Sequence, residues 1–163
     1  MDLFIIRHGD AAPLGEGGIQ DDAERPLTEK GVAQAKLLTE GLPRHGVRLG
    51  VVLSSPLVRA WQTAENMLKD WATPAPELRE CDELKPGTKR RKLARRLRDV
   101  GAEAIALVGH QPDLGEFAGW LIGSRKAQID LAKAGVIYIR CPEDVGKGGG
   151  ELVWMVTPEW LTK

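Results

Sequence analysis

Three short runs constrain this chain more than any other feature of it. They are Leu3-Phe4-Ile5-Ile6, Val51-Val52-Leu53 and Ala104-Ile105-Ala106-Leu107-Val108. Every position in them is apolar, as in strands that are covered on both faces. Each run is followed by a polar turn and then by apolar residues at helical spacing. Thr28 suits the N-cap of a first helix that turns Val32, Ala35, Leu38 and Leu42 inward and ends at Pro43 and Gly46. Ser55 and Pro56 have the residue types of an N-cap and a first helical position, for a second helix to about residue 70. A third helix is predicted from Thr88 to about residue 100, and a fourth after Pro112, carrying Leu114, Phe117, Ala118 and Leu121. Residues 77–81 suit a short strand. Residues 136–140 and 152–156 suit two late strands that a turn at 147–150 would let pair antiparallel. Buried strands alternating with helices predict an α/β fold. It would be a three-layer sandwich with a mainly parallel central sheet and helices on both faces.

At 163 residues the chain suits one domain, 1–163, large enough to need no disulfide or structural metal. Lys+Arg and Asp+Glu both number 23, so the formal charge is zero. That argues against a general nucleic-acid binder, which carries a basic excess. Cys81 and Cys141 stand alone, without a CxxC or a Cys/His cluster, and read as reduced thiols of a cytoplasmic protein. Asp2 stands where a signal peptide would be basic, and the first apolar run stops at Arg7. No stretch approaches the ~20 apolar residues of a membrane span, so no membrane association is expected.

In open parallel sheets, ligands sit beyond the carboxyl ends of the strands. Here those ends read Arg7-His8-Gly9, then Ser54-Ser55-Pro56 with Arg59 one helical turn on, then Gly109-His110. Two of the chain's three histidines therefore accompany two arginines at one rim. Phosphoryl transfer needs such a set. Arginine forks match phosphate oxygens, a neutral imidazole nitrogen can attack phosphorus, and a second histidine, protonated near an anion, can donate to the transition state. Gly9 suits a tight turn beside His8. The arginines would repel a cation, so no metal is expected, and a two-step transfer through a histidine calls for no other cofactor. His45, in Pro43-Arg44-His45-Gly46, reads as a surface turn residue.

Arg7-His8-Gly9 after an N-terminal strand resembles the RHG signature of the histidine phosphatase superfamily, whose fold is phosphoglycerate mutase-like. Ser54-Ser55-Pro56-Leu57-Val58-Arg59-Ala60-Trp61-Gln62-Thr63-Ala64 resembles its SSPxxRAxQTA segment, and Gly109-His110-Gln111-Pro112 its GHxP-type segment. Arg25-Pro26-Leu27-Thr28 and the short chain resemble the compact SixA branch of phosphohistidine phosphatases, which lacks specificity caps. The resemblance implies that His8 is the nucleophile. It implies that Arg7, Arg59 and His110 bind the phosphoryl group, and that Arg25 lies near the site. Glu83 stands where many relatives carry a proton donor, with Asp10 and Asp82 as competitors. SixA-like members resemble one another in lacking a convincing donor, and an imidazole leaves more readily than an alkoxide. The implied substrate is a phosphorylated protein such as a histidine phosphotransfer domain or a phosphocarrier, and inorganic phosphate is the product. A small-molecule phosphomonoesterase and a non-catalytic phosphoprotein-binding module are the alternatives.

One further segment stands out. Residues 89–98 hold seven cations and no acid, with Leu93 and Leu97 one turn apart. They form either a solvated helix face or a docking surface for an acidic phosphoprotein.

Overall fold

The computed structural model describes all 163 residues. In chain order, β1 (Asp2–Arg7), α1 (Glu29–Arg44), β2 (Val51–Ser54), α2 (Val58–Leu68) and β3 (Glu77–Glu80) are followed by α3 (Arg90–Arg98) and β4 (Ala104–Gly109). Then come α4 (Asp113–Leu121), β5 (Val136–Arg140), β6 (Glu151–Val156) and α5 (Pro158–Leu161). The strands form one sheet in the order β3-β2-β4-β1-β5-β6. The first four run parallel. The β1–β5 and β5–β6 pairs are antiparallel, so the sheet is mixed, and the late hairpin pairs as its turn suggests.

The apolar runs bury alternate residues on opposite faces, as the strand period requires. Leu3 and Ile5 join Leu53, Leu93, Leu97, Ile105, Leu107 and Phe117 in one core, under α3 and α4. Phe4 and Ile6 join Leu38, Leu42, Val52, Ala60, Ala64, Met67 and Val108 in the other, under α1 and α2. This is the α/β sandwich with helices on both faces.

Several boundaries differ from the pattern. Thr28 caps α1 as predicted, its Oγ1 accepting from Gly31 N at 3.1 Å. Helix α2 starts at Val58 rather than at Ser55-Pro56, and no side chain caps it. Ser55 remains in the loop, where its hydroxyl has another use. Helix α1 continues through Pro43 to Arg44, because a proline in the last turn forfeits only one bond. The C-terminal α5 lacks a periodic signature, being four residues long. His45 is exposed, but it is more than a turn residue: its Nε2 lies 3.1 Å from Leu161 O and ties α5 to the end of α1. Cys81 and Cys141 are free and buried, and burial pushes the Cys81 thiol up to about 11.

Candidate active site

Parallel register brings the site together. Arg7 pairs with Gly109 and Ser54 with Val108, so the next residues, His8, His110 and Ser55, leave adjacent strands side by side. Strand β4 lies between β1 and β2, which sets His110 between the other two. The His8 and His110 rings are 5.3 Å apart, and both residues are buried. Arg59, on the first turn of α2, is 5% exposed and reaches the same point.

The hydrogen bonds fix the tautomers. His8 Nδ1 lies 2.7 Å from Gly9 O, which can only accept, so Nδ1 carries the hydrogen. His8 Nε2 is left with its lone pair and accepts from Arg59 Nε at 3.2 Å. His110 Nε2 lies 2.9 Å from Ser55 Oγ. That hydroxyl accepts from Leu57 N, and its own proton has no other acceptor, so the His110 hydrogen sits on Nδ1. Burial, with the cationic arginines, lowers His8 to about 4 and His110 to about 3. Both are therefore neutral near pH 7. Without an anion, burial and the Arg59 guanidinium keep His110 a neutral Nδ1–H donor; the sequence expectation of a protonated second histidine applies beside a bound anion.

Two buried nitrogens have no partner, Arg7 Nε and His110 Nδ1. Buried donors without acceptors are uncommon in folded proteins, and these two stand free to receive an acceptor beside His8. Here the group they suit is an anion. Arg7 is steadied by Nη1 donating to Leu131 O at 2.9 Å.

The loop after β1 closes over the site. Its Asp22 carboxylate receives Arg59 Nη2 at 3.0 Å and Arg25 Nη1 at 2.9 Å, and Asp22 O accepts from Arg59 Nη1 at 2.6 Å. Arg25 also donates to Ala12 O at 2.6 Å. Arg25 is thus linked to Arg59 through a carboxylate, not through direct contact with a histidine. The Arg25 hydrogen bond is the main cause that holds the Asp22 carboxyl below its usual range. Asp10 pairs with Lys133 and accepts from Thr28 Oγ1 at 2.7 Å, which lowers it likewise. Asp82 is exposed and paired with Lys85. Glu83 is half-buried, accepts from Cys81 Sγ at 3.5 Å and lies 4.0 Å from Lys92. It lines a small cavity together with His110, Lys85, Thr88 and Arg90.

The sequence model of the histidine phosphatase superfamily (branch 1) matches residues 3–106. The chain belongs to that superfamily. An uncharacterized protein of Picosynechococcus is 35% identical over 167 residues, covering 99% of each chain. The phosphohistidine phosphatase SixA of Escherichia coli is 29% identical over 163 residues, 97% of this chain and 94% of its own. The solved structure of the protein histidine phosphatase SixA complexed with tungstate superposes with a TM-score of 0.83 at 25% identity, covering 99% of both chains.

Within this superfamily fold, several polar residues that the strand-end pattern passed over hold the loop backbone in place. Thr63 Oγ1 accepts from Gly9 N at 3.0 Å and donates to Arg59 O at 2.7 Å. Gln62 Oε1 accepts from Leu27 N, and Gln34 Oε1 from Asp10 N, both at 2.8 Å. Gly9 is required for a reason other than a tight turn. A Cβ there would stand 2.8 Å from Gly31 O, and one on Gly31 would stand 2.0 Å from Asp10 O. Ser55 and Thr63 lie inside the segment that carries the family resemblance; Asp22 carries no such signal.

Proposed function

We propose that residues 1–163 act as one phosphohistidine phosphatase domain that removes phosphate from a protein in two steps through phospho-His8. The observation that carries this reading is the His8 Nε2 lone pair, bonded to Arg59 Nε at 3.2 Å while Nδ1–H is fixed on Gly9 O. Similarity to SixA over nearly the whole chain supports the substrate class.

In the first step the Arg59 Nε–H turns from His8 Nε2 to a phosphoryl oxygen, the freed Nε2 lone pair forms a bond to phosphorus, and the substrate's N–P bond breaks. A substrate ring protonated on its other nitrogen leaves as neutral imidazole, so no further acid is needed. Arg59, Arg7 Nε and His110 Nδ1–H offer donors to the oxygens that gather charge. Because Nδ1 keeps its hydrogen, phospho-His8 is a cationic imidazolium, and the ring leaves phosphorus as neutral imidazole, a good leaving group. Water then attacks phosphorus, the electron pair returns to Nε2, and water's proton leaves with inorganic phosphate. Arg25 takes part by holding Asp22 beside Arg59. Glu83 serves only leaving groups more basic than imidazole.

The test is phosphate release from a histidine-phosphorylated protein and from a simple phosphomonoester, with wild type, His8→Ala and Glu83→Gln. Fast release from the phosphohistidine, lost in His8→Ala and changed little in Glu83→Gln, is expected. Preference for the ester, with collapse in Glu83→Gln, would assign a small-molecule phosphomonoesterase. Release from neither would leave a phosphoprotein-binding module.

A further inference from the structure

The positive charge of this electrically balanced chain is unevenly placed. Seven of its 23 basic residues lie within 89–98, and all 23 carboxylates lie elsewhere. Leu93, Ala94 and Leu97 bury one face of α3, which leaves the cations on the other. Arg90 stands 3.9 Å from Glu116, Lys92 4.0 Å from Glu83, and Arg98 3.5 Å from Asp144. Lys89, Arg91, Arg95 and Arg96 have no acidic partner within 4.0 Å. Lys89, Arg90 and Arg91 also crowd the N-terminal turn of α3, with no acid there, against the helix dipole. Packing alone gives no reason for that arrangement.

The surface leads into the active site. Lys89, Arg90 and Arg91 line a groove of about 550 Å³ with Arg125 and Lys147, against the carboxylates of Asp113 and Glu116. Arg90 and Arg125 also line the neighbouring groove, which passes Gln111, the residue after His110. Arg90 is again in the wall of the small cavity that holds His110 and Glu83. A basic track therefore fills the first groove and reaches the catalytic rim through Arg90, where Glu83 and Asp113 balance the charge of Lys85 and Arg90.

We propose that this track docks the acidic flank of the polypeptide that presents the phosphohistidine. The proposal rests on the phosphohistidine reading above. Charge complementarity steers such an encounter and sets preference among substrates, which a site without a cap needs. A nucleic acid is the poorer fit. The only aromatic in the first groove, Trp120, is stacked on Phe117 at 5.9 Å, and the rest of the chain is net acidic.

The experiment uses two synthetic peptides with a central phosphohistidine, one flanked on both sides by glutamates and one by glutamines. They are compared on wild type and on the triple variant Lys89→Gln, Arg91→Gln, Arg125→Gln, whose replaced residues are exposed. Wild type should prefer the glutamate peptide about tenfold in kcat/KM at low ionic strength. The preference should fade towards about 1 M salt, where the Debye length is about 3 Å. The triple variant should turn over both peptides at the wild-type rate for the glutamine peptide. Equal rates on both peptides in wild type, or a preference that survives in the variant, overturns the docking surface and leaves the phosphohistidine reading standing. Turnover of neither peptide overturns both. A short RNA or an anionic vesicle that binds wild type more tightly than the unphosphorylated glutamate peptide, and loses binding in the variant, would reassign the track.

Discussion

Arg59 has its three nitrogens committed: Nε to His8, Nη1 and Nη2 to Asp22. The Asp22 carboxylate thus holds the position of an anion at the rim, although more than half of its side chain is exposed. An incoming phosphate meets that charge. With its carboxylate half open to solvent, such a pairing is worth about 1 kcal/mol, so Asp22→Asn should bind phosphate or tungstate about fivefold more tightly by calorimetry. Weaker binding in the variant would show that the carboxylate acts instead by aiming Arg59. Ser55 acts on the other histidine. It is fully buried, and its hydroxyl is the sole partner of His110 Nε2. Ser55→Ala leaves that nitrogen unpaired and frees the ring to take the wrong tautomer, at a cost of about 1–3 kcal/mol. Turnover should fall roughly tenfold or more, and Ser55→Thr, which keeps the hydroxyl, should recover part of it. Full activity in the alanine variant would remove Ser55 from the site.

At the scale of elements, the approach of α1 to the β1 loop is set by two glycines. A methyl on Gly31 would lie 2.0 Å from the Asp10 carbonyl oxygen, and backbone cannot give way as a side chain can. Gly31→Ala should therefore push α1 from the loop, lower the melting temperature by roughly 3–10 °C through about 1–3 kcal/mol of overpacking, and reduce turnover. Unchanged melting and turnover would mean that the loop yields freely. The alternation of apolar runs and helical periods made β1, β2, β4 and the four longer helices readable, because strand and helix periods are local signals. The same signals placed Arg7, His8 and His110 at strand ends, and the short segment after β2 placed Arg59. Asp22, Gln34 and Gln62 were not readable, since each acts on a partner 24 to 37 residues away, across a loop with no period of its own. Ser55 misled for a local reason: its residue type is right for an N-cap, but its hydroxyl serves His110 while α2 starts three residues later.

For the molecule as a whole, two neutral histidines buried at the ends of central strands make folding sensitive to acid. In the unfolded chain a histidine titrates near 6.5, whereas burial lowers His8 to about 4 and His110 to about 3. Between these values the unfolded chain binds protons that the folded chain refuses. Both groups are neutral in either state above about 6.5, where stability is full. It then falls as pH drops from 6.5 towards 4 and 3, where the folded rings finally charge. Linkage gives about 1–2 kcal/mol per histidine between pH 6.5 and 5, or roughly 3–6 °C in a chain of this size. Melting curves of wild type and His8→Asn across that window separate this effect from the carboxylates, which both proteins share. The wild-type melting temperature should fall more steeply than the variant's, by about one histidine's worth. Saturating phosphate should flatten the wild-type slope, since a dianion beside His110 favours its charged form. Parallel slopes in the two proteins would mean that His8 titrates in the folded state as it does in water, and would remove burial as the reason its Nε2 lone pair is available at neutral pH.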